Sequence, residues 1–377
     1  MKIALVHDAL VNRGGAERVA AMLCATFPGA PLYTSVYLPD CTYTAFRDVE
    51  VRPTALQGLI HSERALKAVF PFVLWRMSRL QLRGYDLVLS SSTFAAKFVR
   101  VAAGTLHICY CYTPFRLAWD PASYLRPGEA PPKRWAVAGL GAVARVLDAH
   151  AARRVDRFLT MTEITRERIQ RAYGRDAAVI SPPIDCARYR VGTGPREGFL
   201  LVSRLEPYKR VDVAVEAFNR LRLPLTVVGA GSQFATLRRS AGANIVFRSG
   251  LSDEELRDLY ARSRALVFPQ EEDYGLVPLE ALACGTPVIA YGAGGVLETM
   301  LPARTPADAP NATALFFTEQ TPAALAAGVI AFNDYRFSPE FCRQHAERFD
   351  APVFSARVRA QVEAVLDEAR RSGNLRL

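Results

Sequence analysis

Short apolar runs recur along this chain, each closed by a polar or glycine-bearing loop and followed by residues at helical spacing. Ile3 to Val6, Asp86 to Ser90, Leu106 to Tyr110, Phe158 to Thr162 and Ala178 to Ser181 form one series. Phe199 to Val202, Leu225 to Val228, Ile245 to Phe247, Ala265 to Phe268 and Pro287 to Ala290 form a second. Near-continuous apolar runs fit parallel strands covered on both faces, and strand–helix alternation builds such sheets. Two series predict an α/β chain of two doubly wound domains. The length of 377 residues agrees, being more than one ordinary core accommodates. Between the series lie Pro182-Pro183-Ile184-Asp185 and an aperiodic stretch from Arg190 to Gly198, rich in glycine. The expected domains are therefore 1–190 and 191–354, with a C-terminal helix at 355–377 packing back onto the first.

Charge narrows the partners. The net charge of +10 points to anionic ligands: nucleotides, lipid head groups or nucleic acid. No nucleic-acid module accompanies the charge, so nucleic acid is set aside. The seven cysteines are scattered and mostly inside apolar segments, as small buried hydrophobes in a reducing compartment would be. The five histidines form no metal-binding pair. Met1 to Val6 reads as a strand rather than a signal peptide, and no apolar run is long enough to span a bilayer. The expected location is cytoplasmic. From His61 to Arg100 there are seven Lys or Arg against Glu63 and Asp86, interleaved with Phe70, Phe72, Val73, Trp75 and Met77. Arg76, Arg79 and Arg83 are expected on one helical face. That element reads either as a basic amphipathic segment on an anionic membrane surface or as a core helix with a solvated basic face. The Pro-rich segment 127–134 reads as a surface loop, and Val137 to Ala152 as a helix.

Several strand ends carry residues suited to anions. After the first strand, Gly14-Gly15-Ala16-Glu17-Arg18 reads either as a tight turn into a helix whose first N–H groups would face an anion or as a tight turn and nothing more. Gly229-Ala230-Gly231-Ser232 lacks a third glycine and a following acidic residue, which argues against a nicotinamide-dependent oxidoreductase. In Pro269 to Ala290, a strand end leads through Gly275 into a short helix with Pro278 in its first turn and Gly285 as its stop. Glu272 precedes that helix and Glu280 lies in it. Locally, the two carboxylates read equally well as partners of the helix dipole or as ligand-binding groups.

At Arg204, Lys209, Glu272 and Glu280 the sequence resembles the retaining GT-B glycosyltransferases of family four. The Ser-Arg-Leu-x-x-x-Lys-Arg segment, the Gly-x-Gly strand end and the Glu-x-x-x-x-x-x-x-Glu segment occur in the family's order. Gly-Gly-Ala-Glu-Arg near the N-terminus and Pro-Pro-Ile-Asp before the linker extend the likeness over nearly the whole chain. The stretch Glu272 to Glu280 is similar to that of bacterial mannosyltransferases of O-antigen and exopolysaccharide assembly. The resemblance implies two Rossmann-like domains facing across a cleft. It implies that Arg204 and Lys209 hold the donor diphosphate, and that backbone amides around Gly275, Leu276 and Val277 bind phosphate or sugar. Glu280 would accept from ribose hydroxyls and Glu272 from the transferred sugar. Arg248 and Ser249 would lie by the nucleobase, and Gly14 and Gly15 would let the first domain approach the phosphates or acceptor. No metal and no further cofactor are expected, because cations and a helix dipole stand in for a metal.

The resemblance departs at two positions. Relatives often carry histidine where Tyr112 stands in Cys111-Tyr112-Thr113-Pro114, and again at Thr93. Tyr112 would face the reacting end and can still donate one hydrogen bond. The expected function is a retaining hexosyltransferase, moving mannose from GDP-mannose onto a lipid-linked or polysaccharide acceptor at the inner membrane face. The alternative is a catalytically weakened sugar-nucleotide-binding scaffold of the same fold.

Overall fold

A computed structural model describes residues 1–125 and 128–371. It divides the chain into two compact units, 1–182 with 354–377, and 183–353. In the first, seven parallel strands pair in one sheet: β1 (Ile3–His7), β2 (Leu32–Thr34), β3 (Val51–Pro53), β4 (Leu87–Ser92), β5 (Leu106–Cys111), β6 (Arg157–Thr160) and β7 (Ala177–Val179). Their spatial order is β3-β2-β1-β4-β5-β6-β7. The central strands β1, β4 and β5 are buried almost throughout, so both faces need an apolar cover. Alternation supplies it. Ala4, Val6 and Val88 enter one core with Val73, Met77 and Ala144. Leu5, Leu87, Leu89 and Ile108 point the other way, into a core with Val19 and Leu23.

The second unit holds six parallel strands: β8 (Phe199–Val202), β9 (Leu225–Val228), β10 (Ile245–Arg248), β11 (Ala265–Phe268), β12 (Val288–Tyr291) and β13 (Ala314–Phe317). Their order is β10-β9-β8-β11-β12-β13. Chain direction across the sheet reverses between β8 and β11, the point where open α/β sheets leave a crevice at the carboxyl ends of the strands.

The structure differs from three local expectations. The division falls after Pro182 rather than 190, because the intervening residues are fastened to the second unit. The Ile184 N–H donates to Phe349 O at 2.9 Å, and the Cys186 N–H to Asp350 Oδ1 at 2.9 Å. The helix Ala351–Arg371 sends Phe354, Val358, Val362, Val365 and Leu366 into the first unit's core; its expected extension past Arg371 lies outside the described residues. In the segment expected as a loop at 127–134, Pro127 lies outside the described residues, while Pro131 and Pro132 open the helix Pro131–Ala152, where a missing N–H costs nothing. In the basic stretch, helices run Glu63–Ala68 and Phe70–Arg79, and Arg83 falls beyond them, after a short strand at Gln81–Leu82.

Candidate active site

In the second unit, the loops after β8 and β11 meet at the reversal point. The loop after β8 is shaped by close backbone packing. A Cβ at Gly229 would lie 1.8 Å from Ser203 O, and one at Gly231 would lie 2.4 Å from Leu205 O. Only glycine at both positions lets the two strand ends touch. The Leu205 N–H donates to Ala230 O at 2.9 Å, and Glu206 accepts from the Ser232 N–H and hydroxyl at 3.0 and 2.6 Å. So braced, the loop leaves Arg204 exposed, its guanidinium carbon 5.8 Å from the Tyr208 ring centre, with Lys209 Nζ 5.3 Å from the same ring.

The Lys209 ammonium forms an ion pair with the Glu272 carboxylate, spanning the reversal point. Gln270 Nε2 donates to Glu272 Oε1 at 3.1 Å, and Gln270 Oε1 is buried with no hydrogen-bond partner among the described residues. The backbone at Glu272 is held by the Gly295 N–H at 2.7 Å. A Cβ at Gly294 would meet Glu272 O at 2.3 Å, and one at Gly295 would meet Tyr274 Cα at 2.5 Å. The run Gly292-Ala293-Gly294-Gly295 after β12 is thus a support for this site that the sequence reading passed over. Its signal was the glycine run at a strand end. Gln320, after β13, also escaped notice; it donates to Pro269 O at 2.9 Å and accepts from Arg210 at 2.7 Å.

Gly275 caps the helix Leu276–Ala283 with φ 88°, a conformation that favours glycine. First-turn N–H groups such as those of Leu276 and Val277 have no intrahelical acceptor and suit an anion. Gly285, at φ 73°, closes the helix with its N–H on Leu282 O at 2.8 Å. Glu280 is buried and accepts from Tyr260 Oη at 3.0 Å. Burial, and then the neighbouring Glu280 charge, push the Tyr260 phenol well above its ordinary range, so it stays a donor. Arg248 and Ser249 sit at the end of β10, on the sheet's edge. The described contact of Arg248 runs to Glu255 at 3.1 Å, not to the Lys209–Glu272 pair. A cavity of about 1160 Å³ lies along Arg188 to Phe199 and Pro224, at the amino ends of β8 and β9, away from these groups.

In the first unit, Gly14, Gly15 and Tyr112 are brought together. The Tyr112 hydroxyl lies 3.0 Å from Ala16 O and 2.9 Å from Ser91 Oγ, which lies 3.0 Å from His7 Nδ1. Burial drives the Tyr112 phenol well above and the His7 imidazole below their ordinary values, so both are neutral. Gly14 has φ −97°, so its role is not a left-handed turn. A Cβ there would stand 2.5 Å from Glu17 Oε2, and the missing side chain leaves room for that carboxyl. Glu17 is buried, and burial raises its pKa to about 7. Asp8 accepts from the backbone N–H groups of Thr93, Phe94, Ala95 and Ala96, and Thr93 Oγ1 also donates to it at 2.5 Å. The side chain at position 93 therefore braces Asp8. Neither Asp8 nor Glu17 was singled out from the sequence, where an acidic residue in a loop or first turn looks like any other.

Two family models match in series. One described as Glycosyltransferase Family 4 covers residues 13–188, and one described as Glycosyl transferases group 1 covers 193–348. A GDP-mannose-dependent alpha-(1-6)-phosphatidylinositol monomannoside mannosyltransferase of Mycolicibacterium smegmatis is 31% identical over 195 residues, 43% of this chain and 51% of that protein. A D-inositol 3-phosphate glycosyltransferase of Kineococcus radiotolerans is 27% identical over 282 residues, 66% of this chain and 63% of that protein. The chain thus spans about half to two-thirds of the length of these curated relatives. Sucrose-phosphate synthase from Thermosynechococcus elongatus superposes with TM-score 0.71 at 15% identity, covering 98% of this chain and 100% of that one. Anabaena HepE, solved in complex with UDP-glucose, gives 0.68 at 18% identity, covering 97% and 100%. At such identities these two likenesses speak for the fold. With one model on each unit and that fold shared over nearly its whole length, the chain belongs to the family four glycosyltransferases and has the two-domain GT-B fold.

Proposed function

We propose that the chain transfers a hexose, mannose from GDP-mannose, with retained anomeric configuration, onto a lipid-linked or polysaccharide acceptor in cell-envelope glycan assembly. The observation that carries this reading is the meeting of Arg204, Lys209 and Glu272 at the strand reversal of the second unit. Arg204 and Lys209 hold the donor diphosphate and offset the charge that grows on the leaving phosphate. Lys209 exchanges its Glu272 partner for phosphate, which frees Glu272 to accept from sugar hydroxyls. Amides of Gly275, Leu276 and Val277 bind phosphate or sugar at the helix N-terminus. Glu280, oriented by Tyr260, accepts from the ribose, and Arg248 with Ser249 borders the base. As the sugar–phosphate bond breaks, the acceptor oxygen bonds the same face and its proton passes to the leaving phosphate oxygen. The reading needs no metal, since cationic side chains supply the charge. In the first unit, Gly14 and Gly15 are taken to serve the acceptor, and Tyr112 holds their turn through Ala16. The mannose assignment is supported by the GDP-mannose-dependent relative. A lipid-borne acceptor at the inner membrane face is supported by exposed Phe72 and Trp75, stacked at 5.1 Å beside Arg76 and Arg79.

Lys209→Ala and Glu280→Ala each cut transfer by orders of magnitude in a radiolabelled-sugar assay with membrane extract, while the fold stays intact. Unchanged turnover in both sinks the assignment. A thermal-shift panel sets the donor: GDP-mannose raises the melting temperature and UDP-sugars do not. A scaffold reading is favoured by one observation, tyrosine and threonine at positions 112 and 93 where relatives often carry histidine. Donor binding without turnover would select it.

A further inference from the structure

The helix Pro131–Ala152 packs with its sides exchanged. Its buried positions are Gly141, Ala144, Asp148, Ala151 and Ala152, all small apart from the aspartate. Its large apolar residues face out: Trp135 is 76% exposed, Val146 71% and Val143 61%, with Leu140 and Leu147 at about half. A helix serving only a core would do the reverse. Close packing explains the small side: a Cβ at Gly141 would meet Leu117 O at 2.8 Å. The helix is also locked against rotation. Asp148 is fully buried and pairs with Lys97 Nζ at 2.7 Å, Trp119 Nε1 at 2.8 Å and Tyr173 Oη at 2.7 Å. Turning the apolar face inward would tear that carboxylate from three partners and expose it to none of equal strength.

Charge decides what covers the face. Arg134, Arg145 and Arg153 are exposed on or beside the helix and Lys133 pairs with Glu129 at 2.7 Å, while the helix's one acidic residue, Asp148, is inside. A second copy would bring like charges together. An anionic bilayer meets both properties, and Trp135 suits the head-group level. The helix is not apolar enough to cross a membrane, so it would lie on one. We propose that the outer face of Pro131–Ala152 is a membrane-docking surface for anionic phospholipid. It adds a second element to the one around Phe72 and Trp75, whose helix packs on the same core. The inference rests on the transferase reading only for what the docking serves, delivery of a lipid-borne acceptor.

The test is co-sedimentation of the full chain with phosphatidylcholine vesicles, with and without phosphatidylglycerol. The expected result is binding only to the anionic vesicles, with a blue shift of tryptophan emission that Trp135→Phe diminishes. Val143→Asp with Val146→Asp weakens binding by about tenfold or more, since docking scales with the apolar area inserted. Arg134→Gln with Arg153→Gln weakens it by about fivefold per cation. Both pairs lie on the surface, and an unchanged urea midpoint shows that they fold. Transfer to a water-soluble acceptor stays at the parent level in the aspartate pair. Equal vesicle binding by parent and aspartate pair overturns the proposal. So does a dimer that the aspartate pair dissociates, without vesicle binding. Absence of any transfer alongside intact vesicle binding would instead overturn the transferase reading and leave the surface standing.

Discussion

Glu17 offers a test in which magnitude and sign both follow from one buried carboxyl. It lies in the first turn of the helix Gly15–Thr26, is 8% exposed, and fills the space that Gly14 leaves. Burial raises its pKa from 4.5 to about 7, the backbone N–H groups of Glu17 and Gly14 pull it back, and the charges of Asp8 and Glu63 push it further up. A raised folded-state pKa means that the folded chain binds the proton more tightly than the unfolded chain. Stability is then complete below the unfolded value near 4.5 and falls as pH rises through about 7. The difference of about 2.5 pH units corresponds to about 3 kcal/mol at pH 8. Glu17→Gln keeps the shape and an accepting oxygen for the Gly14 N–H but cannot ionise. The variant should match the parent near pH 4.5 and exceed it by about 3 kcal/mol at pH 8. The three tryptophans, Trp75, Trp119 and Trp135, all lie in the first unit, so urea unfolding followed by their fluorescence reports that unit specifically. A stability difference that stays flat between pH 4.5 and 8, or a variant less stable at pH 8, refutes the reasoning.

Three further outcomes are expected. Lys97→Met leaves Asp148 charged and buried without its cation; the first unit should lose about 3–5 kcal/mol in the same fluorescence assay. Gly231→Ala forces a methyl against the Leu205 backbone and shifts the loop that carries Arg204. Nucleoside diphosphate stabilisation in a thermal-shift assay should shrink by about tenfold in apparent affinity, from a displacement costing ~1–3 kcal/mol. Tyr260→Phe removes the hydroxyl that orients Glu280. The donor KM should rise by about tenfold, as expected for a hydrogen bond to a charged group, while kcat changes little.

The parts legible from the sequence were those in which one residue type has one physical meaning. Unbroken apolar runs such as 87–89 and Ala265–Phe268 have no place except a sheet covered on both faces, and they lie in strands. Gly285 ended its helix as expected because the left-handed conformation there admits little else. Lys209 and Glu272, 63 residues apart, were brought together by the motif resemblance, and their ion pair is present. What stayed hidden depended on partners distant in sequence. Prolines 131 and 132 read as a loop but open a helix, since the same ring suits both. Gly14 read as a turn glycine, yet its lack of a side chain serves Glu17. Nothing near Glu17 in sequence says that it is buried.

The helix Pro131–Ala152 shows why such cases resist local reading. Its sequence is apolar nearly all round, which on spacing alone indicates a core element. Which side faces inward is set instead by the buried Asp148 carboxylate, held by Lys97 from the turn after β4 and by Trp119 and Tyr173. A neutral pair of similar volume would remove that lock and let Val143 and Leu147 compete for the core. The buried charge therefore does more than stabilise: by fixing the rotation of one helix it determines which residues the first unit presents to its surroundings. A rule that sorts residues by hydrophobicity alone would predict the opposite surface, because it has no term for a carboxylate that must stay with its cation.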